Sequence, residues 1–308
     1  MPLPTDPAVV ATSHDLVDTL HGIFGPHPGK RPAHAKGLLL SGTFTPTPLA
    51  SHLSSAPHFQ NPSTPILARF SSSTGLPNLP DTDPNGNPRG LALRFQLTST
   101  PRRTHTDIIT HSTPLFPAKD GPSALAFFRA LASGTLPAYL STHPAALAFA
   151  QAEKPFPVSF AAENYFGVNA FKLVSSEGVE RFVRYRMLPA AGEEYLTKEQ
   201  VEGRSEGYLF EEVRERVRAG EVVFELVVQV AEEGDVTDDC TVTWPEGREV
   251  VSLGTVRLDA VVQDNEEEQK RIIFDPVPRV QGVEASGDPL IEARAGVYLI
   301  SGRERREA

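Results

Sequence analysis

Arg294 and Tyr298 stand four residues apart near the end of the 308-residue chain. If this segment is helical, the two side chains lie on one face of the helix. A phenol ordinarily ionises near pH ~10, and an adjacent guanidinium favours the phenolate through its charge and through hydrogen bonding. The pair is therefore a candidate anionic oxygen ligand. An ordinary cation–π or hydrogen-bonded pair is the alternative at this spacing.

Two further segments place titratable or charged side chains on predicted strands. His34 lies at the entry of a strand in Arg31-Pro-Ala-His34-Ala-Lys-Gly37, and Arg69 lies within the strand sequence Ala68-Arg69-Phe70-Ser71. An arginine that points inward needs an anion, whereas one that points outward is solvated. A single histidine is commonly satisfied by a backbone carbonyl. The residues alone leave these alternatives open.

Composition and missing motifs exclude several function classes. The chain contains no CxxC, HExxH, P-loop, GxSxG or GxGxxG motif, which removes the common motif-based routes to zinc, nucleotides and acyl transfer. A net charge of -10 argues against nucleic acid as a partner. No apolar run is long enough for a membrane anchor, and no secretory signal is recognisable. The single cysteine, Cys240, is typical of a reducing compartment, so we expect a cytoplasmic location.

The elements that must position these residues follow from apolar periodicity. An alternating pattern predicts strands rather than helices over much of the chain. The strands are predicted at Ala35–Phe44, Pro65–Ser71, Gly90–Leu97, Val158–Ala161, Phe171–Val174, Phe182–Met187, Val222–Val230, Cys240–Trp244 and Val250–Val262. Helices are predicted at Asp15–Phe24, Leu49–Ser54, Ser123–Leu131, Pro144–Gln151 and Tyr208–Arg218, with a loop over Gly75–Pro88.

Such strands, joined by turn signals, predict an antiparallel sheet closed as a barrel with helices packed around it. The fold class is therefore α+β. No linker divides the chain, so we predict one domain over residues 1–308. Its first part, residues 1–29, is a helix and loop, and residues 30–308 form the barrel core.

In order and spacing, these segments resemble the heme catalase superfamily, and more closely its short, catalase-related peroxidase branch. In catalases the strand entry Arg-Val-Val-His-Ala-Arg-Gly carries the distal histidine, and His34 takes that place here. The proximal pattern Phe-x-Pro-x5-Gly-[Ile/Val]-Glu-x-Ser-x-Asp-x5-Arg-x3-Tyr is met without a gap from Phe274 to Tyr298. The segments at 68–72 and 87–95 also resemble catalase sequences. The resemblance covers about residues 30–308 and implies a catalase-like barrel.

The resemblance implies a bound heme b whose iron is held by the phenolate of Tyr298, with Arg294 stabilising the phenolate. His34 would accept a proton from the near peroxide oxygen and return it to the leaving oxygen, supported by Ser71. The remaining cofactor contacts implied are propionate-binding arginines and ring-contacting phenylalanines: Arg31, Arg69, Arg305 (with Arg303 as a competitor), Phe70 and Phe116.

Three departures from the catalase pattern affect the expected activity. The distal asparagine that precedes Thr-Pro is taken to be replaced by Ser112 in His111-Ser112-Thr113-Pro114. Ala33 stands where catalases have valine, which widens the space above the iron. The large C-terminal helical region of full catalases has no counterpart in this sequence. All three loosen the pocket that fast disproportionation of hydrogen peroxide needs.

The sequence therefore predicts a heme peroxidase. We expect it to reduce hydrogen peroxide or an organic hydroperoxide with a small organic electron donor, with weak residual catalase activity. We expect a monomer or small homo-oligomer. Two alternatives stay open: rearrangement or dehydration of a fatty-acid hydroperoxide, as in allene oxide synthase relatives of catalase, and non-catalytic heme binding or sensing.

Overall fold

A computed structural model describes residues 2–308 and contains a closed antiparallel β-barrel. Eight strands follow one another around it in the order β7-β5-β4-β3-β2-β1-β9-β8, and pairing of β8 with β7 closes the ring. Strands β6 and β10 extend the sheet from β7. The strands are β1 Gly37–Pro46, β2 Thr64–Ser71, β3 Gly90–Thr98, β4 Thr104–His111, β5 Tyr165–Phe166, β6 Phe171–Val174, β7 Glu180–Pro189, β8 Val222–Val230, β9 Val250–Val261 and β10 Val283–Ala285.

Helices surround the barrel, and α1, α4 and α10 pack on one another. They are α1 Pro7–Phe24, α2 Pro48–Leu53, α3 Pro57–Gln60, α4 Gly121–Ala132, α5 Leu136–Leu140, α6 Pro144–Gln151, α7 Lys198–Glu202, α8 Tyr208–Ala219, α9 Asn265–Arg271 and α10 Pro289–Glu307. Asp288 caps α10 by accepting from the Leu290 amide at 2.9 Å, and Pro289 at the first helical position needs no such partner. Across residues 2–308, no helix combines the length and apolarity that crossing a membrane requires.

The two faces of each barrel strand have different surroundings, which positions the functional residues. On β2, Ile66, Ala68 and Phe70 point into the barrel and are fully buried in its apolar core. The residues between them point outward, because side chains alternate along a strand. Arg69 and Ser71 therefore share the outer face, which is covered by the helices. The functional side chains lie in this layer between barrel and helices.

The structure confirms the α+β barrel class and most predicted elements, and corrects two strands. Residues 158–161 follow an isolated bridge at Pro157 and lead into a single 3-10 turn, and residues 240–244 form turns and coil. In both places apolar and β-branched residues imitate a strand pattern without strand pairing. Strand β4 was missed because its sequence, THTDIITH, carries few apolar residues. Helix α1 begins at Pro7, earlier than the apolar spacing indicated.

We expect His58 to make the fold sensitive to acid. Its ring is buried between Phe59 and Phe95, with centroids 4.0 and 4.3 Å away, and burial lowers its pKa to about 3. In the unfolded chain the His58 imidazole has its ordinary pKa near 6.5, so the unfolded state takes up a proton first as pH falls. The stability contribution is thus complete above pH ~6.5 and is lost toward pH ~3.

Between pH 6.5 and 5 this histidine accounts for about 2 kcal/mol of lost unfolding free energy. Denaturant titration at both pH values should show a smaller loss in His58→Gln than in the wild type. The control His52→Gln alters an exposed histidine and should keep the wild-type loss. Equal losses in all three proteins would contradict the prediction.

Candidate active site

A cavity of about 1030 Å³ lies between the outer face of strands β2–β4 and the helices α1, α4 and α10. It brings together most of the residues singled out in the sequence, although they are spread over almost the whole chain. These are Arg31, His34, Arg69, Ser71, Phe116, Arg294, Tyr298 and Arg305. Sequence reasoning thus assembled one site rather than several unrelated positions.

Tyr298 is held by a chain of hydrogen bonds that begins at the cap of α10. Arg294 donates to the phenol oxygen from both Nε and Nη2, at 3.1 Å each, as the i,i+4 spacing predicted. It also donates through Nη1 to the Asn169 side-chain oxygen. Asn169 in turn donates to the Asp288 carboxylate at 2.7 Å. The phenol oxygen therefore accepts two hydrogen bonds from one cationic guanidinium, which fixes its position in the cavity.

Arg31, Arg69 and Arg305 form a cluster on the cavity wall, which we call the guanidinium cluster. None of the three forms an ion pair with a carboxylate within residues 2–308; they donate instead to carbonyl, amide and hydroxyl oxygens. Burial, followed by repulsion from Arg305, lowers the pKa of Arg69 to about 9. Burial and the neighbouring guanidiniums also lower the pKa of Arg31. Such a cluster is suited to hold a ligand with more than one carboxylate.

His34 faces the same cavity in a constrained backbone conformation. Its φ of 57° lies in the left-handed region, which few residues other than glycine adopt. The His34 amide donates to the Ser73 carbonyl at 3.1 Å, and Arg69 donates to the His34 carbonyl at 2.9 Å. The ring Nδ1 lies 3.0 Å from Ser71 Oγ. If Nδ1 carries the proton and donates to Ser71, Nε2 is left as a base.

Charge and burial keep His34 neutral across the physiological range. Burial, then the positive charges of Arg69, Arg31 and Arg294, lowers its pKa to about 3. A neutral imidazole can accept a proton, so the group is available as a general base at neutral pH. The arginines that suit an anionic ligand therefore also set the protonation state of this histidine.

A row of three residues runs across the strands beneath His34. Ser71 on β2 pairs with Gly90 on β3, and Gly90 pairs with His111 on β4, so all three face the cavity. A side-chain carbon at Gly90 would lie 3.1 Å from His34 Nδ1 and 2.6 Å from Ser71 Oγ. Glycine here leaves the space that the imidazole occupies.

Two predicted site residues are placed elsewhere. Ser112 does not line the cavity; its Oγ accepts from the Arg89 amide at 2.9 Å, because it follows the outward-facing His111 on the strand. Phe70 is a barrel-core residue stacked on Phe160 with centroids 5.0 Å apart, so the expected ring contact in the cavity is wrong. Between the two competing arginines, Arg305 lines the cavity, and Arg303 is exposed.

Three residues with clear placement were not predicted from the sequence. His111 lines the cavity against Phe116, with ring centroids 5.8 Å apart, and its Nε2 is buried with no partner among residues 2–308. Burial, then Arg294, His34 and Lys154, lowers its pKa to about 3. Asn169 links Asp288 to Arg294, and Lys154 also lines the cavity. If β4 had been recognised as a strand, its pairing with β3 at Gly90 would have indicated that His111 faces the cavity.

Comparisons with known proteins identify the family and the fold. The family model for catalase matches residues 27–307. Catalase-related peroxidases from Mycolicibacterium paratuberculosis and Synechococcus elongatus are 34% and 31% identical, over 94% and 97% of this chain and 93% and 90% of theirs. A catalase isozyme of Solanum lycopersicum is 25% identical, and the match covers 60% of its length. A solved bacterial catalase shares the fold with a TM-score of 0.79, at 24% identity over 90% of this chain and 57% of that chain.

We expect succinate, a dicarboxylate, to stabilise the cofactor-free protein through the guanidinium cluster. A ligand that binds the folded state alone raises the free energy of unfolding, by about 1.4 kcal/mol at ten times its Kd. Thermal unfolding in succinate and in sodium chloride of equal ionic strength measures the difference. Arg31→Met should lose the gain, whereas Arg303→Met, outside the cavity, should keep it. Equal stabilisation by succinate and by sodium chloride would contradict the prediction.

Proposed function

The chain belongs to the catalase family, and on that premise we propose that it is a heme-dependent peroxidase. The substrate is hydrogen peroxide or an organic hydroperoxide, and an external donor supplies two electrons. The balanced reaction is ROOH + 2 DH → ROH + H2O + 2 D, where D is the one-electron-oxidised donor. The observation that carries the proposal is a single cavity with an arginine-bonded phenol, a neutral histidine and three arginines free of carboxylate partners.

The residues present fit heme b. Tyr298 would supply the oxygen ligand for iron, which is the tyrosine ligation of catalases. The guanidinium cluster would supply donors for two propionates, which accounts for buried arginines that pair with no carboxylate within residues 2–308. When bound, heme would supply the redox chemistry of the reaction, which is the transfer of two oxidising equivalents from the peroxide to the donor.

His34 performs the proton transfer in this proposal. Its neutral imidazole accepts the peroxide proton and returns it to the oxygen that leaves as water or alcohol, so one group acts as base and then as acid. Ser71 Oγ, 3.0 Å from Nδ1, orients the ring. His111, on the other side of Gly90, supplies a second imidazole toward the same space.

The outer part of the cavity favours organic molecules. Its walls include Phe127, Phe128 and Phe149, and two of its lining leucines, Leu76 and Leu131, are exposed at 36% and 38%. Apolar side chains that both line a cavity and reach the surface suit the entry of an apolar peroxide or donor.

We propose cytoplasm as the location on the strength of the single cysteine, and we expect a monomer or small homo-oligomer.

The same apolar wall favours a second candidate function. Rearrangement or dehydration of a fatty-acid hydroperoxide would use the same heme and the same His34 but would consume no reductant. Product analysis with and without a donor separates the two functions.

We expect the heme-loaded protein to oxidise a phenolic donor such as guaiacol with hydrogen peroxide or cumene hydroperoxide faster than it releases oxygen from hydrogen peroxide. Donor absorbance and an oxygen electrode measure the two rates. His34→Gln keeps the cavity but removes the base, and should lower the peroxidase rate by roughly 10²- to 10⁴-fold. Rapid oxygen release without donor oxidation would show that peroxidase is the wrong activity.

We expect His111→Phe to weaken fluoride binding to the heme-loaded protein by roughly 5- to 10-fold, because a neutral imidazole can donate one hydrogen bond to the anion. Optical titration gives the Kd. His111→Asn should recover part of the affinity, and Ser112→Ala, outside the cavity, should have the wild-type Kd. A loss in Ser112→Ala with none in His111→Phe would restore the role first assigned to the serine.

A further inference from the structure

Lys154 is a cation of the cavity wall that the proposed cofactor does not account for. Five cationic side chains and one carboxylate, Asp83, line the cavity. Two propionates and a phenolate account for the three arginines of the guanidinium cluster and for Arg294. Lys154 remains, and it forms no ion pair within the part of the chain that the structure describes.

The ammonium group of Lys154 is fixed in place rather than free in solvent. Its Nζ donates to the carbonyls of Phe149 and Ala152 at 2.5 and 3.1 Å, and it lies 4.7 Å from the centre of the Phe149 ring. The Lys154 carbonyl accepts from Asn87 Nδ2 at 3.1 Å. An ammonium has three N–H donors, and two are used here. The third is available for an anion in the cavity.

Lys154 lies on the same side of the cavity as the two histidines. Its carbonyl accepts from Asn87, which also lines the cavity and lies three residues before Gly90, the strand partner of both Ser71 and His111. The surface at the lysine is apolar on one side, since the Phe149 ring packs against its ammonium group, and Phe127 and Leu131 add further apolar lining to the same cavity. A molecule with an apolar body can therefore place an anionic end at Lys154 while its other part approaches His34.

We infer that Lys154 binds a carboxylate, and that the preferred organic hydroperoxide or electron donor of this protein is an apolar or aromatic molecule carrying one. The inference rests on the proposed function, because it names the substrate class of the same site. A charge-assisted hydrogen bond at a half-buried lysine is the interaction that would select this class. Either the hydroperoxide or the donor could carry the carboxylate, so the test has one kinetic arm for each.

The binding arm compares decanoate with decanol by calorimetry on the heme-loaded protein. We expect decanoate to bind roughly 10-fold more tightly than decanol to the wild type. The preference should disappear in Lys154→Met and persist in Lys154→Arg, which keeps the charge. Lys198→Met, an exposed lysine outside the cavity, is the matched control. Equal affinities for the two ligands in the wild type, or a preference that survives in Lys154→Met, would overturn the inference.

The kinetic arms identify which reactant carries the carboxylate. One compares kcat/KM for cumene hydroperoxide and its para-carboxylate with a neutral donor. The other compares 4-ethylphenol and 3-(4-hydroxyphenyl)propanoate as donors with hydrogen peroxide. A preference of roughly 10-fold for the carboxylate in one series, lost in Lys154→Met, assigns the site to that reactant.

A preference in neither kinetic series rejects the inference while leaving peroxidase activity intact. Failure of the proposed function looks different, because a protein that binds no heme or consumes no peroxide contradicts that proposal directly. The decanoate preference requires no turnover, so calorimetry still tests Lys154 in a protein that binds heme but consumes no peroxide.

Discussion

Buried positive charge without a matching carboxylate is the constraint on which this cavity depends. Arg69 and Arg305 are 4% and 3% exposed, and with Arg31 they donate only to neutral oxygens in the described chain. Desolvating guanidiniums is costly unless an anion compensates them. A ligand bearing two carboxylates compensates them directly, so the fold is complete in electrostatic terms only when the cavity holds such a group.

The same arginines connect the anion-binding wall to the proton-transfer residue. Arg69 donates to the His34 carbonyl and so helps hold its left-handed backbone, while its charge helps keep the imidazole neutral. The barrel fixes the remaining geometry through strand register. A slip of one residue on β2 would turn Ser71 into the barrel and bring Phe70 to the cavity. The positions of Arg69 in the anion-binding wall and of Ser71 beside His34 thus depend on the pairing of β2 with its neighbours.

Much of the site was predictable because its residues sit in patterns that the backbone dictates. The helical spacing of Arg294 and Tyr298 gives the observed hydrogen bonds. Strict alternation on β2 could have excluded Phe70, since Arg69 and Ser71 face the other way. Ser112 was misplaced because β4 was not recognised, and without that strand nothing indicated that His111 faces the cavity.

Other features depend on tertiary contacts that no local pattern carries. Asn169 joins Asp288 to Arg294 across 119 and 125 residues of sequence separation. Lys154 enters the cavity from the end of α6, where the sequence indicates only a loop. The two segments predicted wrongly as strands, at 158–161 and 240–244, each bury some apolar side chains, although no strand pairs with them along their length.

Ligation of the heme iron by Tyr298 is the central claim, and resonance Raman spectroscopy tests it most directly. The protein would be prepared with ring-deuterated tyrosine and compared with unlabelled protein and with Tyr298→Phe. Ligation through Tyr298 predicts enhanced tyrosinate ring bands that shift with the label and vanish in the variant. Enhanced bands that ignore the label, or an unchanged spectrum with full heme content in Tyr298→Phe, would contradict it.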